Sequence, residues 1–248
     1  MKKKFMVRWI GQGGYALRCG ETVMLLDPYF SDIVEHVEGP RRLIPPPFAP
    51  ENANPDYFLA THDHMDHLDT DMIARMDCAG VRFLCPESCK KTLLCLGKGI
   101  SEDQITVTRR GETFSFADFT LEAHYADHTP DSVGFVVICD GIRAYFTGDT
   151  LYGGKVGASA DADVIFCCIN GRLGNMDAAE AALVAERSGA KLAIPNHYGM
   201  FAENTADPMD FVRFAEAAGR SAYVMQHNEE IDAAALLAEY RKKEIKLC

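Results

Sequence analysis

The sequence predicts an α/β chain of the α+β type: one domain over residues 1–248, with two mixed β-sheets facing each other and helices outside. Three observations lead there. Short runs rich in β-branched and aromatic residues recur up to about residue 147, separated by tight Gly- and Asp-containing turns. The second half then alternates strand-like with helix-like segments. No linker, internal repeat or low-complexity tract divides the chain.

In order along the chain, residues 5–10, 15–19 and 22–27 read as an antiparallel meander. Gly11-Gln12-Gly13-Gly14 has the glycines of a phosphate loop, yet it lies between strands and no Lys-Ser/Thr follows, so a hairpin turn is expected. Asp27-Pro28 ends the third strand. Residues 31–55 are proline-rich and read as irregular; a loop of that length is usually functional or disordered. Its Arg41-Arg42 pair could bring a guanidinium to an anionic substrate, or could simply be solvated.

The apolar segment Tyr57-Phe58-Leu59-Ala60 reads as a strand, and Asp69 can cap a helix through Asp77. A strand at 81–85 precedes a helix opening at Pro86-Glu87, with proline at a permitted first-turn position. Strands follow at 105–109, 112–116, 119–126, 133–139 and 143–147. Next come a strand at 163–169, a helix opening on the capping box Asp177-x-x-Glu180, and a strand at 191–195. A helix from Asp207-Pro208 to Ala218, a strand at 222–226 and a helix at 232–245 complete the reading.

Bulk properties exclude some functions. A formal net charge of −11 argues against a nucleic-acid surface, which needs basic patches. No apolar run approaches the roughly 20 residues of a membrane span. Met1-Lys2-Lys3-Lys4-Phe5 imitates the basic end of a signal peptide but leads into Arg8 and glycines, so a first strand and a cytoplasmic protein are expected. The nine cysteines contain no CxxC pair and an odd count, which suggests reduced, buried thiols. Cys85, Cys89 and Cys95 fit a helix core face better than a metal cluster.

The functional signal lies in Thr61-His62-Asp63-His64-Met65-Asp66-His67-Leu68-Asp69, which packs three of the eight histidines and three carboxylates into nine residues after an apolar strand. Imidazole and carboxylate donors suit zinc, manganese or iron. The spacing of His62 and His64 at a strand end suggests that both rings leave one face, with Asp66 and His67 on the following turn. Three later residues stand just past predicted strands: His128, Asp149 and His197. Loops at strand ends are where a rigid sheet builds a site. Asp63 and Asp69 are candidates for orienting imidazoles. Asn170, Arg172 and Tyr198, on loops after strands, and Arg41 and Arg42 are candidates for substrate contact. His36 reads as a surface residue, His124 as a strand histidine, and His227 as a weak candidate for substrate contact.

The series His62-x-His64-x-Asp66-His67, His128, Asp149, His197 resembles the ligand set of the metallo-β-lactamase superfamily, whose αββα sandwich agrees with the elements above. Ile169-Asn170-Gly171-Arg172, the Pro195–Ala202 segment and the Arg- and Pro-rich loop resemble the L-ascorbate-6-phosphate lactonase branch. The resemblance implies a first metal on His62, His64 and His128 and a second on Asp66, His67 and His197, with Asp149 bridging. It implies one or two divalent ions, manganese or zinc. It also implies a hydrolase in which a metal-activated hydroxide, oriented by Asp66 and Asp149, opens an ester or lactone. The implied substrate is a small anionic molecule, with a sugar-phosphate lactone as the named candidate. A metal-dependent phosphodiesterase and a non-catalytic metal sensor are the alternatives. A di-iron redox enzyme would prefer glutamate where His64 stands. Nucleic-acid and membrane partners are not expected, and a homo-oligomer is left open.

Overall fold

The computed structural model describes residues 3–247. Met1 and Lys2, before the expected first strand, and the Cys248 thiol lie outside the described residues. The first sheet is built from β1 (Phe5–Gly11), β2 (Gly14–Cys19), β3 (Thr22–Leu26), β4 (Tyr57–Leu59), β5 (Arg82–Cys85) and β6 (Ile105–Val107). The second comprises β7 (Thr113–Ser115), β8 (Thr120–Tyr125), β9 (Val133–Cys139), β10 (Ile142–Phe146), β11 (Val164–Cys168), β12 (Leu192–Asn196) and β13 (Ser221–Ala222). A last strand, β14 (Glu230–Asp232), returns to pair with β1, so the first sheet runs β14-β1-β2-β3-β4-β5-β6 and the second β13-β12-β11-β10-β9-β8-β7. Each sheet joins an antiparallel meander to parallel strands, β3 to β6 in one and β10 to β13 in the other.

Helices α2 (Thr70–Arg75), α3 (Glu87–Cys95), α4 (Ala178–Arg187), α5 (Pro208–Ala217) and α6 (Ala233–Leu247) supply crossovers and outer layers, and α1 (Ile33–Glu38) follows β3. Local chemistry sets their starts. Asp69 accepts from the Met72 amide at the head of α2, and Asp177 and Glu180 form a reciprocal capping box on α4.

Between the sheets lies the main core. Tyr15 on β2 meets Phe146 on β10 and Phe166 on β11 at ring separations of 4.9 Å each, bridging the two layers. All residues of β11 and β12 are buried, as expected for parallel strands covered on both faces. A second apolar cluster under α2 and α3 joins Phe58, Phe83, Met72, Ile73, Cys89 and Leu93.

The structure differs from the sequence reading in four places. Residues 31–55 hold the helix α1 and a 3₁₀ turn at Pro50–Asn52 rather than running irregular throughout. Buried Asp69 secures the entrance by accepting from the Phe30 and Ser31 amides and the Ser31 hydroxyl. β14 was not anticipated, because Glu230-Ile231-Asp232 is too short and polar to show an alternating pattern. β13 spans two residues where five were expected, and only Tyr223 N–H continues onto Ala193 O (3.0 Å) beyond it.

Finally, Cys19 and Cys139 form a disulfide instead of two free thiols. Their sequence separation of 120 hides the pairing from any spacing rule. The ends of β2 and β9 bring their Cα atoms to 5.9 Å, inside the usual disulfide range. Cys78, Cys85, Cys89, Cys167 and Cys168 are free and buried as expected, whereas Cys95 is exposed.

Candidate metal centre

The histidine stretch follows β4 directly. Ala60 N–H still donates to Leu84 O (3.1 Å), and the chain then leaves the sheet in a series of bends and turns. His62 and His64 therefore sit on turns rather than in extended strand, with ring centroids 4.6 Å apart. Asp27, just past β3, anchors the departure: the Thr61 amide donates to its Oδ1 (2.8 Å) and the Thr61 hydroxyl to its Oδ2 (2.6 Å). The same Oδ2 accepts from His67 Nδ1 at 2.8 Å.

The remaining residues arrive from four other strand ends. His128 follows β8, Asp149 follows β10, Asn175 lies in the loop after β11, and His197 follows β12 with φ +60°. From the β1–β2 turn, Gln12 enters the same space, with φ +53°. The glycine beside it is required. A Cβ on Gly13 would stand 2.8 Å from the His67 ring.

Partners set the tautomers. His62 Nδ1 donates to Thr61 Oγ1 (3.0 Å), whose proton is committed to Asp27, and His128 Nδ1 donates to Gly174 O (3.1 Å). His67 Nδ1 is held by Asp27. All three rings thereby turn Nε2 inward, where a second hydrogen bond on the far nitrogen is the usual support for a metal-ligating imidazole. His64 Nδ1 and His128 Nε2 face each other at 3.0 Å. Asp149 Oδ1 lies 3.3 Å from His67 Nε2, and its Oδ2 lies 3.2 Å from His197 Nε2 and 3.9 Å from His128 Nε2. Asn175 Nδ2 donates to Asp149 Oδ2 (2.7 Å). Gln12 Nε2 donates to Asp66 Oδ2 (2.8 Å) and lies 3.1 Å from His197 Nε2.

Two features indicate that a cation fits. His62 Nε2, His67 Nε2 and Asp149 Oδ1 are buried without a hydrogen-bond partner, an arrangement native proteins rarely leave without a ligand. Donor atoms also converge within 4.8 Å in three triads: His62, His64, His128; His62, His67, Asp149; and Asp66, His67, His197. All seven residues singled out from the sequence thus meet in one place.

The electrostatics agree. Burial opposes charge on His67 and His197, but Asp149 and Asp66 outweigh it, aided at His67 by Asp27. His67 is raised well above the usual imidazole range and His197 to about 9. Burial likewise opposes charge on Asp66 and Asp149, yet the imidazoles beside them hold both carboxyls low. Burial holds His62 and His128 down and raises Asp27. The ionised pair Asp66 and Asp149 demands positive charge, which protonated His67 and His197 supply in the metal-free chain.

Above the cluster opens a cavity of ≈ 260 Å³, lined by His64, Asp66, His128, Asp149 and His197 together with Val34, Glu38, Pro40, Met65, Leu173, Phe201 and Asn204. None of the five expected substrate contacts is in that lining. Arg42 is spent on the backbone, donating to the carbonyls of Ile44, Ser31 and Tyr29. Arg41 points to solvent, 3.9 Å from Glu35. Arg172 donates to Glu203 O, and Asn170 to Arg172 O and Asn204 Oδ1. Tyr198 packs on Trp9 and donates to Met225 O.

Other expectations resolve similarly. Asp63 is exposed and Asp69 serves the backbone, so Asp27 takes the orienting role expected of them. Gln12, Asp27 and Asn175 were not singled out as site residues; each reads locally as a turn or strand-end residue. His36 is exposed on α1, His124 pairs with Glu122 on β8, and half-buried His227 packs near Trp9 outside the cavity lining.

Residues 22–198 match the family model of the β-lactamase superfamily domain. A UPF0173 metal-dependent hydrolase of Oenococcus oeni is 30% identical over 225 residues, covering 83% of this chain and 91% of the relative. One from Pyrobaculum arsenaticum is 30% identical, covering 87% and 93%. The solved structure of a metallo-hydrolase from Ignicoccus hospitalis shares the fold at a TM-score of 0.72 and 20% identity, covering 92% of this chain and 97% of that one. No helix among the described residues is long and apolar enough to cross a membrane. With two facing mixed sheets and a His/Asp cluster at their strand ends, the chain belongs to the metallo-β-lactamase superfamily, among its metal-dependent hydrolases.

Proposed function

We propose that the protein hydrolyses a carboxylic ester or lactone of a small molecule, using two divalent cations held by the seven His and Asp residues. The observation that carries this reading is Asp149, whose two oxygens face His67 on one side and His197 and His128 on the other. His62, His64 and His128 would hold one ion, and Asp66, His67 and His197 the other. When bound, such ions polarise an acyl oxygen and lower the pKa of water to about 7. Nitrogen and oxygen donors suit zinc or manganese alike.

The chain's residues supply the rest. Hydrolysis joins a water oxygen to the acyl carbon, breaks the acyl–oxygen bond and delivers a proton to the leaving oxygen. Asp66 lines the cavity as a carboxylate and is the group placed to accept the water's proton and pass it on. Gln12 holds Asp66 Oδ2 in place, and Asn175 does the same for Asp149.

The test is turnover of a panel of simple esters, lactones, a phosphorylated lactone and phosphodiesters, after chelation and after zinc or manganese is restored. Ester or lactone turnover that depends on metal and falls at least about 100-fold in Asp66→Ala, with the fold retained, supports the reading. Activity confined to phosphodiesters would replace it, and metal binding with no turnover would favour a sensor.

A further inference from the structure

We propose that this site selects an uncharged substrate carrying an apolar substituent, and discriminates against anionic ones. The inference takes from the preceding reading which bond breaks; what flanks that bond comes from the cavity itself.

Apart from the metal-facing residues, the cavity wall is Val34, Pro40, Met65, Leu173 and Phe201, with Asn204 and Glu38 as its polar members. Val34 and Phe201 belong to a small apolar cluster with Tyr29, Ile33 and Met200, against which Met65 packs. Met65 is a thioether that adapts to irregular shapes.

Among the described residues, neither a guanidinium nor an ammonium group lines the cavity. A site for phosphate or carboxylate normally presents one in a fork or as a point charge. Arg42 cannot turn inward without abandoning three carbonyls. Glu38, at the end of α1, instead places negative charge at the mouth.

Leu173 adds an independent pointer. It lines the cavity, is 78% exposed, and has φ +52°. A bulky residue in the left-handed region is a genuine outlier, of the kind that clusters at ligand clamps. Its exposed aliphatic surface gains free energy when an apolar group covers it. A cavity of ≈ 260 Å³ lies just below the usual small-ligand range, so the substituent is a short aliphatic or single-ring group.

Metal-anchored probes test the wall apart from catalysis. Pentanohydroxamate and succinic monohydroxamate share one chelating head and differ in tail, apolar against carboxylate. Calorimetric titration of zinc-loaded protein is expected to show the apolar tail binding roughly tenfold or more tightly. Leu173→Ser should reduce that ratio several-fold with metal content unchanged, and Glu38→Gln should narrow it by improving the carboxylate tail alone. Equal binding, or preference for the carboxylate tail, would overturn the proposal. Ester turnover is scored separately: a protein that keeps the tail preference yet cleaves no ester or lactone refutes the hydrolytic reading and leaves this inference standing.

Discussion

Asp27 is buried, sits outside the histidine stretch, and touches both ends of its chemistry through Thr61 and His67. Removing its charge should release the His67 tautomer. Asp27→Asn is expected to weaken metal binding about 10- to 100-fold without unfolding the chain, as read by competition with a chromogenic chelator. Unchanged affinity would reduce Asp27 to a turn anchor.

The imidazole shifts give a second expectation at this scale. His197 is raised to about 9 and His67 is raised as well, so their protons stabilise the metal-free fold fully below the unfolded value of about 6.5. That stability is lost as pH rises through the folded values. His62 and His128 are shifted downward and are neutral in both states above about 6.5, so they do not oppose the trend there. Chelated protein should therefore lose Tm between about pH 6.5 and 9. Metal-loaded protein should not, because binding favours deprotonated ligands. A chelated Tm that rises over this window would contradict the protonation pattern.

All seven ligand candidates were legible in the sequence because each stands beside an apolar strand and their residue types are unusual together. Gln12, Asp27 and Asn175 were not, because their meaning lies in partners 54, 40 and 26 residues away.

Among the elements, the segment from Ser31 to Asn52 departs furthest from its sequence appearance. Prolines suggested an irregular loop whose paired arginines either reach toward an anion or are simply solvated. Instead Arg42 folds the segment on itself by donating to the Ile44 and Ser31 carbonyls, and it donates to Tyr29 O just outside it while lying over the Tyr29 ring. Leu43 N–H ties the segment to the body by donating to Met200 O (2.8 Å). Residue type alone does not say whether a guanidinium will meet a ligand or its own backbone. Arg42→Ala should cost about 2 kcal/mol of stability and increase proteolysis within 31–55, while leaving metal content unchanged. A stable variant with an impaired KM would return Arg42 to the substrate. The regular elements were read nearly to their ends, since alternation and caps announce them. The exceptions are β13 and β14, too short to carry a period, and the six-residue α1 in the stretch read as irregular.

At the scale of the molecule, two layers are held by aromatic contacts in the middle and by Cys19–Cys139 at one side. Closing a loop with a sequence separation of 120 restricts the unfolded chain by about 4–5 kcal/mol in the entropic account. Reduction, or the double change Cys19→Ser and Cys139→Ser, should lower the urea midpoint accordingly without disturbing the metal cluster. An unchanged midpoint would show that the thiols are not joined in solution. The facing sheets and outer helices were legible from the switch between meander and strand–helix alternation. The disulfide was not, since it depends on how the layers stack.

That stacking sets the ends of β3, β4, β8, β10 and β12 around a single cluster, which is proposed to hold two ions. Anomalous diffraction from crystals grown with zinc or manganese decides the number and place of those ions. Two peaks are expected, one among His62, His64 and His128 and one among Asp66, His67 and His197. A single peak, or peaks away from these side chains, would contradict it.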